Sequence, residues 1–155
     1  MHFFEPDPRQ PTQLPPELVA AYRATRYGVQ PPVWPRPLPE FGLRVGVYSP
    51  ELALAFQRMD VGSAAYITAC NPWGQSLPDG ENAQRQQALR HAIEALGLTC
   101  WPGQGQGDDG LWPPEASWLV LGAGGAVARQ LARQFEQNAW VWAGADAVPQ
   151  LVLMR

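Results

Sequence analysis

Ala65-Tyr66-Ile67-Thr68-Ala69-Cys70-Asn71-Pro72 is the stretch on which the fold turns. Its aromatic, β-branched and small apolar residues suit a strand. Asn71-Pro72 ends it, because proline supplies no backbone N–H to a sheet. In residues 79–96, Leu89, Ala92 (or Ile93) and Leu96 recur at three- and four-residue steps. That period predicts a long helix, and Gly97 closes it. Leu98-Thr99-Cys100-Trp101 reads as a short strand, and the Gly/Asp stretch 103–110 beyond it as a hairpin tip.

Working outward toward the N-terminus, Leu43-Arg44-Val45-Gly46-Val47-Tyr48 alternates and is expected to be a strand. Ser49 then caps a helix with Pro50 at its first position and Glu51 in its first turn, and Leu52, Phe56 and Met59 form its buried face. Leu18, Val19, Tyr22 and Thr25 mark an earlier helix that begins at Pro15-Pro16 and ends before Gly28. Residues 31–39 are too rich in proline to pair inside a sheet and read as a stiff connector anchored by Trp34. Toward the C-terminus, residues 118–121 form an apolar strand, 126–135 a helix, and 139–142 and 148–153 the last strands.

The expected architecture is α+β, or an α/β sandwich: a central mixed β-sheet of about five strands flanked by about three to four helices. The expected domain plan is a Pro-rich N-terminal arm over residues 1–16 and a single α+β domain over 17–155. A chain of 155 residues suits one domain with its own hydrophobic core.

Composition narrows the chemistry. Apolar residues make up 46% of the chain and charged residues 16%, and all 11 basic residues are arginine. Net charge is −3, with an isoelectric point near 5.3. The arginines are scattered, so the clustered cations that bind nucleic acid through phosphates are missing. No run approaches the ~20 apolar residues that span a bilayer. The first residues also lack the basic-then-apolar order of a secretory leader. Cys70 and Cys100 form no CxxC, which points to thiols in a reducing, cytoplasmic setting. The two histidines are His2 and His91, leaving little material for His-ligated zinc or for Ser-His and Cys-His catalysis.

The candidate site begins on the long helix. Extending its apolar stripe backward reaches Arg85 (or Gln86) and Asn82, so its inward face turns polar in the first two turns. Those turns adjoin the loop Asn71-Pro72-Trp73-Gly74-Gln75-Ser76. An Arg and an Asn near a helix N-terminus suit an anionic or amide-bearing group, or else they tie down the loop's backbone. Glu115 stands at the mouth of the 118–121 strand behind a Trp112-Pro113-Pro114 entry. It suits a general base, a counter-charge for Arg85, or a structural carboxylate. Ser117 has no histidine near it in sequence and no nucleophile elbow, so it is not read as a nucleophile. Gln137 and Asn138 follow the last helix, where amides cap carbonyls or, if the fold brings them near, join Glu115 and Asn82. Trp73 and Trp112 lie in loops beside these residues and are candidates for an aromatic wall.

One motif is set aside. Leu121-Gly122-Ala123-Gly124-Gly125-Ala126-Val127 has the strand–glycine–helix order of a dinucleotide-binding turn, and Asp146 falls near the place of a ribose-binding acid. Val127, however, occupies the third fingerprint position, and about ten residues after Asp146 cannot complete the βαβαβ half. The glycines are expected to serve a tight turn, and no cofactor is expected.

Ala21-Tyr22-Arg23-Ala24-Thr25-Arg26-Tyr27, Ile67-Thr68-Ala69-Cys70-Asn71-Pro72, Glu81-Asn82 with Arg85, Trp112, Glu115-Ala116-Ser117 and Phe135-Glu136-Gln137-Asn138-Ala139 together resemble the bacterial family called domain of unknown function 3293. The resemblance covers about residues 18–143 and rests on order and spacing, not on any one motif. Its members are small, mostly stand-alone bacterial proteins, and it implies no particular reaction. Its polar positions fall here on Thr68, Asn71, Asn82, Arg85, Glu115, Ser117, Gln137 and Asn138. The chain departs from the pattern at Cys70, where an aromatic residue is usual, and at Pro78, where serine often stands. The turn at 122–125 is not a hallmark of the family.

The expected site therefore has Glu115 as its catalytic group and Asn71, Asn82, Arg85, Ser117, Gln137 and Asn138 as ligand contacts, with no metal. A small anionic ligand is the expected partner, held by Arg85 and the start of the Glu81 helix. The alternative is a non-enzymatic interaction or regulatory module that docks a protein partner, in which the same residues form a structural network. Neither nucleic acid nor membrane is expected as a partner.

Overall fold

The computed structural model describes residues 10–33, 38–107 and 113–155. His2, the first nine residues of the Pro-rich arm, Trp34, the Asp108-Asp109 tip and Trp112 lie outside the described residues. The elements run in the order α1 (Pro16–Ala24), β1 (Arg26–Val29), β2 (Phe41–Leu43), α2 (Pro50–Met59), β3 (Ala64–Ile67), a 3-10 turn (Pro72–Gly74), α3 (Asp79–Ala95), β4 (Thr99–Gln106), β5 (Glu115–Leu121), α4 (Gly125–Gln134), β6 (Ala139–Ala143) and β7 (Gln150–Leu153).

The α+β class holds. Among the described residues the sheet has seven strands in the order β2-β1-β4-β5-β3-β6-β7, and its six pairings are all antiparallel, where a mixed sheet of about five was expected. The difference has a topological cause. The chain from β3 through α3 to β4 returns parallel to its starting strand, but β5 lies between the two. Likewise β5–α4–β6 joins parallel strands with β3 between them. These two split crossovers interlock as the β-α-β-β-α-β connectivity of ferredoxin-like units, so every hydrogen-bonded neighbour is antiparallel. The β1–β2 hairpin extends one edge of this unit and β7 the other.

Alternation along the strands sorts two cores. Tyr66, Leu119, Leu121, Val141, Leu151 and Leu153 face a cluster completed by Leu52, Ala55 and Phe56 of α2, and Leu18, Val19 and Tyr22 of α1 pack against it. Ala65, Ile67, Val120, Trp140 and Val152 face the other way, onto Leu89 and Ile93 of α3 and Ala128, Leu131 and Ala132 of α4. The result is three layers, with α1 and α2 on one face of the sheet and α3 and α4 on the other.

Several boundaries differ from expectation for local reasons. Thr25 takes extended geometry (φ −72°, ψ 141°), so the first helix stops at Ala24 and Gly28 lies inside β1. The strand expected over residues 43–48 ends at Leu43, and Gly46 turns the chain at φ 80° with Val47 and Tyr48 exposed. The stretch from Gly103 to Gln106, expected in a hairpin tip, belongs to β4 and pairs with β5 and β1. Glycine is needed there because a Cβ on Gly103 would run into the Gly28 carbonyl. Ser49 caps α2 as expected, accepting from the Leu52 N–H at 3.0 Å.

Candidate functional site

The last turn of β3 and the loop after it bring most of the expected residues together. Asn71 sits in the left-handed region (φ 51°), a conformation asparagine tolerates better than most residues. Its backbone N–H donates to Asn82 Oδ1 at 2.9 Å, while its own Oδ1 accepts from Asn82 Nδ2 at 2.8 Å and from the Leu77 N–H at 3.1 Å. That reciprocal pair ties the loop to the second turn of α3. Asn71 Nδ2 is thereby aimed at Glu115, donating to Oε2 at 3.1 Å.

Arg85, one turn further along α3, fastens backbone. Nε donates to the Ala69 carbonyl at 2.6 Å, and Nη2 to the Phe135 carbonyl at 2.7 Å. Its ionic partner is Glu136, at 3.6 Å, and not Glu115. The physical reason is strand parity. Glu115 shares a face of β5 with Ser117, Leu119 and Leu121, which look toward α1 and α2, whereas α3 covers the opposite face. Two acids, Asp79 and Glu81, already complement the positive end of the α3 dipole. Gln137 Nε2 donates to the carbonyls of Cys70 (3.1 Å) and Phe135 (3.0 Å), joining the turn after α4 to the loop after β3. Buried Gln86 accepts from the Ala69 N–H at 2.8 Å, and Thr68 Oγ1 donates to the Ala116 carbonyl at 2.7 Å. Ser117 is buried, donates to the Glu115 carbonyl at 3.2 Å, and faces the Tyr66 hydroxyl.

Glu115 itself opens onto a different set of groups. Burial pushes its carboxyl above the ordinary carboxylate range, and the hydrogen bond from Asn71 offsets part of the shift. Tyr22, on the inward face of α1, is also raised by burial. The Asn138 amide opposes that shift, and the charges of Glu115 and Arg155 act on the same hydroxyl. Cys70 is held up as a neutral thiol by burial, which disfavours it as a nucleophile. Asn138 is buried, accepts from Arg155 Nε at 2.9 Å, and its amide nitrogen borders Gly74. The Arg155 guanidinium lies over the Trp73 ring, 4.6 Å from its centroid. Trp73 is itself in left-handed geometry (φ 53°), as is Glu136 (φ 60°), and the Trp73 N–H donates to the Glu136 carbonyl at 2.6 Å. Non-glycine residues held there store strain that the surrounding bonds must sustain.

The expected residues thus divide. Glu115, Asn71 and Asn138 share one neighbourhood with Tyr22, Trp73 and Arg155. Asn82 bonds Asn71 and the Leu77 carbonyl, Arg85 and Gln137 bond backbone carbonyls, and Ser117 is buried on the same face of β5 as Glu115. Sequence reasoning placed Trp73 near the site but gave no role to Tyr22 and missed Arg155. Tyr22 carried a signal, since it stands in the α1 segment of the family resemblance. Arg155 follows the last strand with no motif around it. A separate cavity of about 450 Å³ lies between the C-terminal half of α3 and β4–β5, bordered by Arg90, Glu94, Cys100, Pro102 and Trp118 among others. Among the described residues no group of three or more His, Cys, Asp or Glu side chains could hold a metal ion. No helix among them is long and apolar enough to cross a membrane.

Residues 67–140 match the family described as "Protein of unknown function (DUF3293)", the family that the sequence resembles. The match is shorter than the resemblance over residues 18–143, and it takes in every expected site residue. No curated protein and no solved structure matches the chain.

Proposed function

We propose that the domain bearing this family match binds a small polar molecule beside Glu115, with the Glu115 carboxyl as its acid–base group. The observation that carries this reading is the state of Glu115 itself. It is a carboxyl raised by burial at the end of a strand, held by an Asn71 whose strained backbone is secured from three sides. A purely structural carboxylate is better served by a cation, and Arg85, the counter-charge expected for it, is turned to carbonyls and to Glu136. In this reading Arg85, Asn82 and Gln137 hold the loops in place, and Asn71, Asn138 and Tyr22 meet the ligand. A thermal-shift screen against nucleotides and metabolites tests it, repeated on Glu115→Gln and Arg85→Ala. A hit is expected to lose its stabilising effect in Glu115→Gln, which keeps an acceptor for Asn71. A hit that stabilises Glu115→Gln as strongly as the parent overturns the role given to Glu115.

A second reading, an interaction or regulatory module, is favoured by the mutual bonding of Asn71 with Asn82 and of Arg85 and Gln137 with loop carbonyls. It predicts no hit in that screen and equal loss of parent stability in Asn82→Ala and Arg85→Ala.

A further inference from the structure

We infer that Arg155, and not Arg85, supplies the cation that receives a ligand's acid group, and that the ligand is a small organic acid carrying an amino or hydroxyl donor for Glu115. The inference rests on the proposed site and deepens it by naming the ligand's chemistry.

Two arginines border the loops of the site, and their environments differ. Arg85 spends Nε and Nη2 on the Ala69 and Phe135 carbonyls and turns Nη1 toward the Glu136 carboxylate. Its charge is neutralised and its fork is occupied. The guanidinium of Arg155 is fixed differently, over the Trp73 indole with Nε tied to Asn138 Oδ1. Stacking and one Nε bond steady the guanidinium without engaging its terminal nitrogens. That is the arrangement in which arginine binds a carboxylate or phosphate through two parallel hydrogen bonds. Arg155 is exposed, as a group receiving a solute must be.

The neighbours of Arg155 suit the rest of such a molecule. Asn138 Oδ1 holds Arg155, the Arg155 guanidinium lies over Trp73, and Asn71 of the same loop fixes Glu115; the charges of Glu115 and Arg155 both act on the Tyr22 hydroxyl. A positive and a negative group thus act on one phenol. A ligand with an acid at one end and a donor at the other is matched at both ends. Trp73 owes its place under Arg155 to its own left-handed backbone and to the Trp73–Glu136 backbone bond, so the strain in this loop positions the cation's platform.

The test uses the full chain and four probes: acetate, inorganic phosphate, glycine and glycolate. Two-dimensional NMR follows the Arg155 Nε–H and the Trp73 indole N–H during titration of each. Each probe is expected to shift both signals, with the ratio of acetate to phosphate affinity distinguishing a carboxylate from a phosphate ligand. Glycine or glycolate is expected to bind on the order of tenfold more tightly than acetate. Arg155→Gln is expected to abolish every shift at Trp73. Glu115→Gln is expected to erase only the advantage of glycine and glycolate. Acids that leave Arg155 and Trp73 unmoved, or that bind Arg155→Gln as well as the parent, overturn the inference. A metabolite that binds Arg155→Gln as well as the parent but fails on Glu115→Gln overturns it while leaving the proposed site standing.

Discussion

Glu115 shows how much one residue's parity decides. It belongs to the same face of β5 as Leu119 and Leu121, so it is drawn toward the α1–α2 layer and out of reach of the arginine on α3. Placed there with an asparagine amide for a partner, its carboxyl titrates above its unfolded value. The linkage has a definite sign. A raised carboxyl favours the folded state most below the unfolded carboxylate range, and that contribution is lost as pH rises through the folded pKa. Glu115→Gln removes the titration and keeps an acceptor for Asn71. Its Tm is expected to exceed the parent's by a few degrees at about pH 8, with the gap closing toward about pH 4. Differential scanning calorimetry across that range checks it, and a gap that does not change with pH would show that burial is not what raises the group.

At the scale of elements, α3 and the loop after β3 act as one unit. Asn82 accepts from the Asn71 N–H and donates to Asn71 Oδ1 and to the Leu77 carbonyl at 3.3 Å, which closes the loop over the helix start. Asn82→Ala takes their partner from the Asn71 N–H and the Leu77 carbonyl, at a cost of about 1–3 kcal/mol. For a domain of this size each kcal/mol lowers Tm by roughly 2–4 °C. Hydrogen exchange gives the sharper readout: the amides of Asn71 and Leu77 are expected to exchange faster while those of β3 keep their protection. Unchanged exchange at both amides would remove Asn82 from this role. This junction was legible before the structure, because the polar break in the helix's apolar stripe and the Asn-Pro stop after the strand are both local patterns. The destination of Arg85 was not, since the Phe135 carbonyl it binds is fifty residues away in sequence.

The whole molecule depends on how its sheet ends. The outer edge of β7 does not face solvent alone. Gln10 Nε2 donates to the Leu151 carbonyl at 3.1 Å, its Oε1 accepts from the Leu153 N–H at 3.0 Å, and Thr12 reaches the Arg155 carbonyl. Leu14 is buried in the core shared by α1 and α2. Residues 10–14 therefore cover an edge that would otherwise be open to pairing with another chain. Deleting residues 1–14 is expected to lower Tm by several degrees and to produce dimers or larger species in light scattering. A deleted chain that stays monomeric at the parent's Tm would show that this contact contributes nothing.

Local pattern sufficed for the class of fold, the four helices among the described residues and the polar junction between α3 and the loop after β3. Capping, proline stops and hydrophobic period act over a few residues, and those signals are written where they act. Strand order, the interlocking of the two split crossovers and the parity of Glu115 relative to α3 were decided only in three dimensions. So was the pairing of Arg155 with Trp73 and Asn138, because a guanidinium finds its aromatic platform and amide through folding, across 82 and 17 residues of chain. The helix start that looked like an anion site is already complemented by its own acids, and the cation stacked on Trp73 lies where no periodicity pointed.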